Sequence, residues 1–448
     1  MEKLPKILSV SLSTWRKDSG IHTQTDLFKF WEPDRVAQIY TRSDLPNTPV
    51  CNSFFQISEN AIIKSVFTRK RVGKRVENSD IFNETVQKAV QEEKKLYAIA
   101  SRKKSWFLTL AREIVWSLGV WKTKELAKFI KEEDPDVYFI PIYPVIYMGK
   151  LQRYIMKKHP KPYVCYLMDD NYSYKACGKN LFAYIHRFLL RRVVKKLAKN
   201  CNAMFNITQT GAKETDKLFG TKSVILTKGI NYDNLEFKEK EVQSPVKMVY
   251  TGKLIIGRAE SLVAISQALE KINKDGIKMT LDIYSPDILD KKTMKHLNSN
   301  GCTFRGVVPK EEVEKIQSDA DIVVFAESLE KQHRYAARLS FSTKLTDYFK
   351  SGKCIFAIGD RSIAPIEYLR DNDAAIIATR YKEIEGTLAL LAHNPALIKE
   401  YGRKAFECGK KNHSEEKIKE VFRSTFINTA KQKIALPGED KTEKAKKE

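Results

Sequence analysis

At 448 residues the chain exceeds what one hydrophobic core ordinarily organises, so two domains are expected. Hydrophobic residues at 42% and aromatic residues at 10% exclude a disordered or fibrous chain. With 79 Lys and Arg against 55 Asp and Glu, the net charge of +24 calls for an anionic partner: nucleic acid, an acidic membrane surface or a phosphorylated substrate.

No apolar run reaches the roughly 18 residues that span a bilayer. The longest, VYFIPIYPVIYM at 137–148, is shorter, holds two prolines and reads as a strand and loop. The opening run KILSVSL gives way at once to charged residues, and no signal peptide is expected. Seven cysteines, odd in number and without a CxxC pair, fit free thiols in a reducing cytoplasm. The seven histidines show no ligand spacing, so neither a metal nor a bound cofactor is expected.

In chain order, Lys6 to Leu12 reads as a first buried strand, followed by the loop STWRKDSG and a helix from near Ile21. Gly20 and His22 then fall past the carboxyl end of that strand, where open α/β sheets place ligands. No GxGxxG is present, and His22 reads either as a packed loop histidine or as an acceptor-side catalytic group. Val36 to Tyr40 is a second strand, and the basic stretch 66–75 reads as an exposed loop. In Ser101–Trp121 the residues Trp106, Phe107, Leu110, Ile114 and Leu118 recur at helical spacing beside Arg102, Lys103 and Lys104. That is either a core-facing helix or a basic, tryptophan-rich face at a membrane interface.

Strands are expected at 135–144 and 163–167. The second runs into Asp169 and Asp170, which either contact an acceptor hydroxyl or hold a turn. The helix Leu181–Lys199 is basic and amphipathic, the pattern of a helix resting on anionic lipid or of an ordinary surface helix. Two further strands, near 201–207 and 224–227, complete a first sheet, and Asn234–Pro245 reads as a polar linker.

A second unit opens with a strand at 247–250 and the turn Thr251-Gly252-Lys253-Leu254-Ile255-Ile256-Gly257-Arg258. Helices and strands then alternate strictly, the pattern of a doubly wound parallel sheet. Within it, LSFSTKLTDYFKSGKCIFAIGD (339–360) reads as a helix capped by Ser342 or Thr343, a stop at Gly352 and a buried strand. Lys344 in the first turn of that helix is either a solvated charge or the ligand of an anion held at the helix N-terminus. Asp347 lies one turn on, on the same face.

Two α/β halves joined by a polar link imply a cleft between the carboxyl ends of two sheets. Lys253, Arg258 and Lys344 are placed to meet a diphosphate there, and Asp347 to accept hydrogen bonds from a ribose diol.

Four segments of the second half, in order, resemble the nucleotide-sugar domain of GT-B glycosyltransferases, in particular the large retaining family that builds bacterial polysaccharides. They are Gly252-Lys253-Leu254 with Arg258, the run Phe304 to Val313 (FRGVVPKEEV), Ala320-Asp321-Ile322 and Ser342 to Cys354. The resemblance implies an α/β fold of two Rossmann-like, doubly wound domains facing a central cleft. Its domains would be an acceptor domain (1–235), a nucleotide-sugar domain (236–412) and a C-terminal helix packing back on the first domain (413–430), while the tail (431–448), charged and poor in large apolar residues, is expected to be disordered by its composition.

It further implies donor contacts by Gly252, Lys253, Arg258, Val307, Ser342, Thr343, Lys344 and Asp347. The family's first glutamate, which contacts the donor sugar, falls on Leu339; Glu327, Glu330 and Arg338 are the polar residues nearby in the chain. The expected activity is metal-independent transfer of a UDP- or GDP-linked sugar to a saccharide or lipid-linked acceptor in cell-surface glycan synthesis. Asp169, Asp170, His22, Arg258 and Lys344 are its expected catalytic groups. The expected place is the cytoplasm, peripheral to an anionic membrane surface. A nucleotide-sugar epimerase or phosphorylase on the same scaffold is the second reading. A basic nucleic-acid-binding protein is a third, disfavoured because the basic residues are spread over both halves and form no recognised module.

Overall fold

The computed structural model describes residues 3–16, 22–76, 106–178, 180–333, 335 and 337–432. Gly20, the basic residues Arg102–Lys104 and most of the expected tail, from residue 433, lie outside them, and the side chains of His22 and Trp106 are likewise not described. The chain divides into two compact units, Met1–Leu226 with Lys419–Glu448, and Thr227–Ile418.

The first unit is built on an eight-stranded sheet of order β4-β3-β2-β1-β5-β6-β7-β8. Its central strands are β1 (Ile7–Ser11), β2 (Val36–Tyr40), β5 (Val137–Pro141) and β6 (Tyr163–Leu167), nearly continuous apolar runs. Strands buried on both faces are mostly apolar, as in a parallel sheet, and β1 pairs in parallel with β2 and β5; the buried exceptions are satisfied, Ser9 with Ser11 and Gln38 with Thr14. The strand β3 (Ser53–Gln56) and, on the other side, β7 (Ala203–Asn206) and β8 (Ser223–Ile225) extend the parallel sheet.

The stretch expected as a basic loop differs. A helix ends at Thr68, and Lys74–Arg75 forms the short strand β4, antiparallel to β3 at the sheet edge. Exposed cations on an edge strand discourage further pairing, so the charge suits a strand end as well as a loop.

Helices α1 (His22–Phe28), α2 (Glu59–Thr68), α3 (Trp106–Leu118), α4 (Lys124–Glu133), α5 (Ile146–Lys158), α6 (Leu181–Lys199) and α7 (Gln209–Phe219) complete this unit up to residue 226. From Lys419 the chain returns to it. Phe422 and Phe426 are fully buried; Phe28 and Phe205 pack on both at centroid distances of 5.2–6.4 Å, and Phe139 packs on Phe426 at 6.0 Å.

The second unit holds six parallel strands in the order β11-β10-β9-β12-β13-β14. They are β9 (Val246–Thr251), β10 (Met279–Tyr284), β11 (Cys302–Gly306), β12 (Ile322–Ala326), β13 (Cys354–Ile358) and β14 (Ile376–Ala378). The order reverses between β9 and β12. In a doubly wound sheet that reversal leaves a crevice at the carboxyl ends of the two strands, because their following loops diverge to opposite faces.

The helices are α8 (Arg258–Ile272), α9 (Lys291–His296), α10 (Lys310–Ser318), α11 (Thr343–Ser351), α12 (Ala364–Asp371), α13 (Tyr381–Ala392), α14 (Pro395–His413) and α15 (Glu415–Ala430), the last passing into the first unit. The polar stretch 234–245 carries no helix or strand but is strapped to this unit. Gln243 donates to the Asp319 carbonyl, and Lys399 binds Glu239 and Glu241.

Candidate functional site

The loop after β9 and the start of α11 meet at the strand-order reversal of the second unit. Ser342 caps α11, its hydroxyl accepting from the Lys344 amide, and Gly352 in the left-handed conformation ends it. Lys344 therefore stands at the second position of the helix, among backbone N–H groups without intrahelical partners.

Its ammonium lies 4.5 Å from the ring centroid of Tyr250, at the end of β9, and donates to that hydroxyl at 3.3 Å. It also lies directly over Gly252. A Cβ at 252 would be 2.0 Å from Lys344 Nζ, and φ of +137° is a conformation only glycine adopts freely. Gly252 is thus needed twice, for the turn and for the lysine above it.

The same loop has two more left-handed residues, Ile256 and Gly257. A β-branched residue at φ +63° costs of order 1–3 kcal/mol, a strain that clusters at ligand sites. Two anchors hold the loop: Asp287 accepts from the Leu254 amide at 2.5 Å, and the Tyr250 hydroxyl donates to the Lys253 carbonyl at 2.6 Å.

Arg258 opens α8, and its guanidinium grips Glu327 through two hydrogen bonds of 2.8 and 3.2 Å. Glu327 is buried just past β12, and the Ser261 hydroxyl donates to its carbonyl. Burial lowers the Lys344 pKa from 10.5 to about 8, Arg258 adds to that, and Glu327 and Asp287 oppose it. No carboxylate among the described residues comes within ion-pair distance of Lys344. A desolvated cation beside a second cation, at a helix N-terminus, is an arrangement that an arriving anion relieves.

Gly252, Arg258, Ser342, Thr343 and Lys344, all singled out from sequence, are brought together here. Lys253 belongs to the same loop but is exposed. Asp347 lies one turn further along α11 with half its side chain exposed. Burial of the carboxylate still raises its pKa, and Lys228, 3.6 Å away, works in the opposite direction. Val307, past β11, is 73% exposed. Leu339 is buried and apolar, as is expected of a residue that contacts core rather than ligand.

In the first unit, Asp170 is engaged in a turn: one carboxylate oxygen accepts from the Ser173 amide at 2.9 Å and the other from its hydroxyl. Asp169 is exposed at the end of β6. His22 is the first residue of α1.

Tyr250, Asp287 and His333 escaped the sequence reasoning. A tyrosine that ends an apolar strand reads as core, and an aspartate in Ser-Pro-Asp reads as a turn. His333 lies between Glu327 and Lys344 in the chain, in a polar stretch that reads as an ordinary loop, and its Nδ1 would lie 3.0 Å from a Cβ at Gly257. That nitrogen is buried and has no hydrogen-bond partner among the described residues.

No protein-family model matches this chain, and no curated protein matches it. Solved structures do. HepE of Anabaena, in complex with UDP, superposes with a TM-score of 0.59 at 10% identity over 94% of this chain and 100% of its own. TarM gives 0.57 at 10% identity, over 94% and 98%. A UDP-forming alpha,alpha-trehalose-phosphate synthase from Burkholderia vietnamiensis gives 0.55 at 9%, over 95% and 99%. Two doubly wound α/β units with this strand order therefore make the GT-B fold, and at such identities the similarity is one of fold.

Proposed function

We propose that the protein is a glycosyltransferase that binds a nucleoside-diphosphate sugar in its second unit and transfers the sugar to a saccharide or lipid-linked acceptor. The observation that carries this is Lys344, a partly desolvated ammonium held over Gly252, beside Arg258, with no carboxylate at ion-pair distance among the described residues. A diphosphate supplies the missing counter-charge. As the bond to the sugar breaks, negative charge grows on the departing diphosphate, and preorganised cations stabilise it more than the ground state.

In this reading Lys344, Arg258 and the exposed Lys253 take the part that a divalent cation plays elsewhere, and neither metal nor bound cofactor is required. Asp347 receives the ribose hydroxyls, and Ser342 and Thr343 present amides to phosphate. Glu327 orients Arg258. Asp169 is the acceptor contact, with His22 beside the first strand, while Asp170 shapes the turn that presents Asp169. The place of action is the cytoplasmic side of an anionic membrane, in the synthesis of a surface glycan. The complexes of HepE with UDP and with UDP-glucose make uridine nucleotides the first to test.

The test is thermal stabilisation by UDP, GDP and their sugars, since a ligand bound only by the native state raises its stability. UDP or GDP should raise the midpoint in the wild type and not in Lys344→Ala. No shift by any nucleotide would refute the donor site. Incubation with the stabilising nucleotide sugar and no acceptor separates the alternatives: an epimerase alters the sugar, whereas a transferase at most hydrolyses it slowly. Transfer undiminished by a chelator supports metal independence.

A further inference from the structure

Helix α6 has two apolar faces. Leu190, Val194, Leu197 and Ala198 seat its second half in the first unit. None of the nine residues at 181–189 is buried, and Leu181, Phe182, Tyr184, Ile185, Phe188 and Leu189 are each between 44% and 70% exposed. At about 100° per residue these six fall within an arc of about 160°, centred opposite the buried stripe. Four cations, Arg192, Lys195, Lys196 and Lys199, continue that same outward arc along the second half, and the helix holds no acidic residue.

The patch extends beyond one helix. Tyr174 closes a shallow hollow of about 480 Å³ with Tyr184, Ile185 and Phe188. On α3, Phe107, Leu110, Ile114 and Leu118 are exposed, and Glu113 of α3 meets His186 of α6 at 3.8 Å, so the two helices adjoin. The guanidinium of Arg191 lies 5.7 Å from the ring of Tyr174, and that of Arg192 5.7 Å from Phe188, at the border between apolar and charged surface. Six exposed apolar side chains on one arc of α6, joined by Tyr174, mark an interaction site.

We infer that this face of the first unit docks on an anionic lipid bilayer. The aromatic and aliphatic half of α6 enters the boundary between headgroups and acyl chains, and Arg192, Lys195, Lys196 and Lys199 rest on lipid phosphates. The charge selects this occupant. A symmetric contact between two copies through this face would gather both sets of four cations into one interface with no acidic residue on either helix to offset them, whereas an anionic leaflet neutralises them. No helix among the described residues is long and apolar enough to cross a membrane. The inference stands on the first unit and does not depend on the donor site.

The experiment is flotation of the full chain with phosphatidylcholine vesicles and with vesicles that also contain phosphatidylglycerol. The wild type should float with the second and not the first, and high salt should release it. Two variants, Phe182→Ser with Ile185→Ser and Phe188→Ser, and Lys195→Glu with Lys196→Glu and Lys199→Glu, should each lower the bound fraction by about tenfold or more. Their unfolding midpoints and any nucleotide-induced shift should match the wild type, because the substituted side chains are exposed. Failure of the wild type to float with phosphatidylglycerol would overturn the inference, as would undiminished flotation of both variants. So would a wild-type dimer that the serine variant renders monomeric without any lipid binding.

Discussion

Replacing Lys344 with methionine keeps the stem of the side chain and removes its charge. In the ligand-free protein the ammonium is held at a pKa of about 8 against an ordinary 10.5. At 1.36 kcal/mol per unit, keeping it charged costs up to about 3.4 kcal/mol, less whatever solvent screens at this partly exposed group. The folded-state pKa lies below the unfolded one, so the penalty is full below pH 8 and is relieved as pH rises from about 8 to 10.5.

Lys344→Met should therefore unfold no lower than the wild type at pH 7, while losing UDP. A bound diphosphate restores the charge, so binding takes up a proton above pH 8. The Kd of the wild type for UDP should then rise with pH from about 8, with a slope approaching tenfold per unit and at most about 2.5 decades in all. Calorimetric titrations at several pH values, in buffers of differing ionisation enthalpy, read both the affinity and the proton. If Lys344→Met binds UDP as tightly as the wild type, or if the pH slope survives in it, the counter-ion argument is wrong.

Gly252→Ala should abolish nucleotide-induced stabilisation and lower stability by about 1–3 kcal/mol, since its Cβ collides with the lysine and its φ is left-handed; thermal unfolding with and without UDP checks both. Glu327→Gln removes the carboxylate that binds Arg258 through two hydrogen bonds and leaves a largely buried guanidinium uncompensated. Chemical denaturation should show a loss of about 3–5 kcal/mol, and the pH slope of UDP binding should begin lower, because Glu327 supports the Lys344 charge. His413 is buried between Thr227 and Tyr368, each 2.8 Å from a ring nitrogen, and burial holds its pKa at about 4. The unfolded chain, at about 6.5, takes the proton first, so this stability is complete above pH 6.5 and falls by up to about 3.4 kcal/mol towards pH 4. In His413→Asn that acid-side loss, followed by denaturation at stepped pH, should be absent.

The alternation of strand and helix was legible in the sequence because period and apolar content are local properties. The runs at 137–141, 322–326 and 354–358 are apolar at every position, the pattern of strands buried on both faces. Ser342 and Gly352 bracket α11 by their own capping chemistry, and Lys344 follows from counting along it.

What lies far apart in the chain was decided by tertiary structure. The Arg258–Glu327 pair spans 69 positions, and Tyr250 comes under Lys344 only because β9 and β12 are neighbours at the strand-order reversal. Nor does periodicity say which of two apolar arcs on α6 turns inward. Packing against the sheet takes the arc of Leu190, Val194 and Leu197 and leaves the other to whatever lies outside. A sequence carries the pattern of each element, while the partner of each face depends on which elements the sheet order sets side by side.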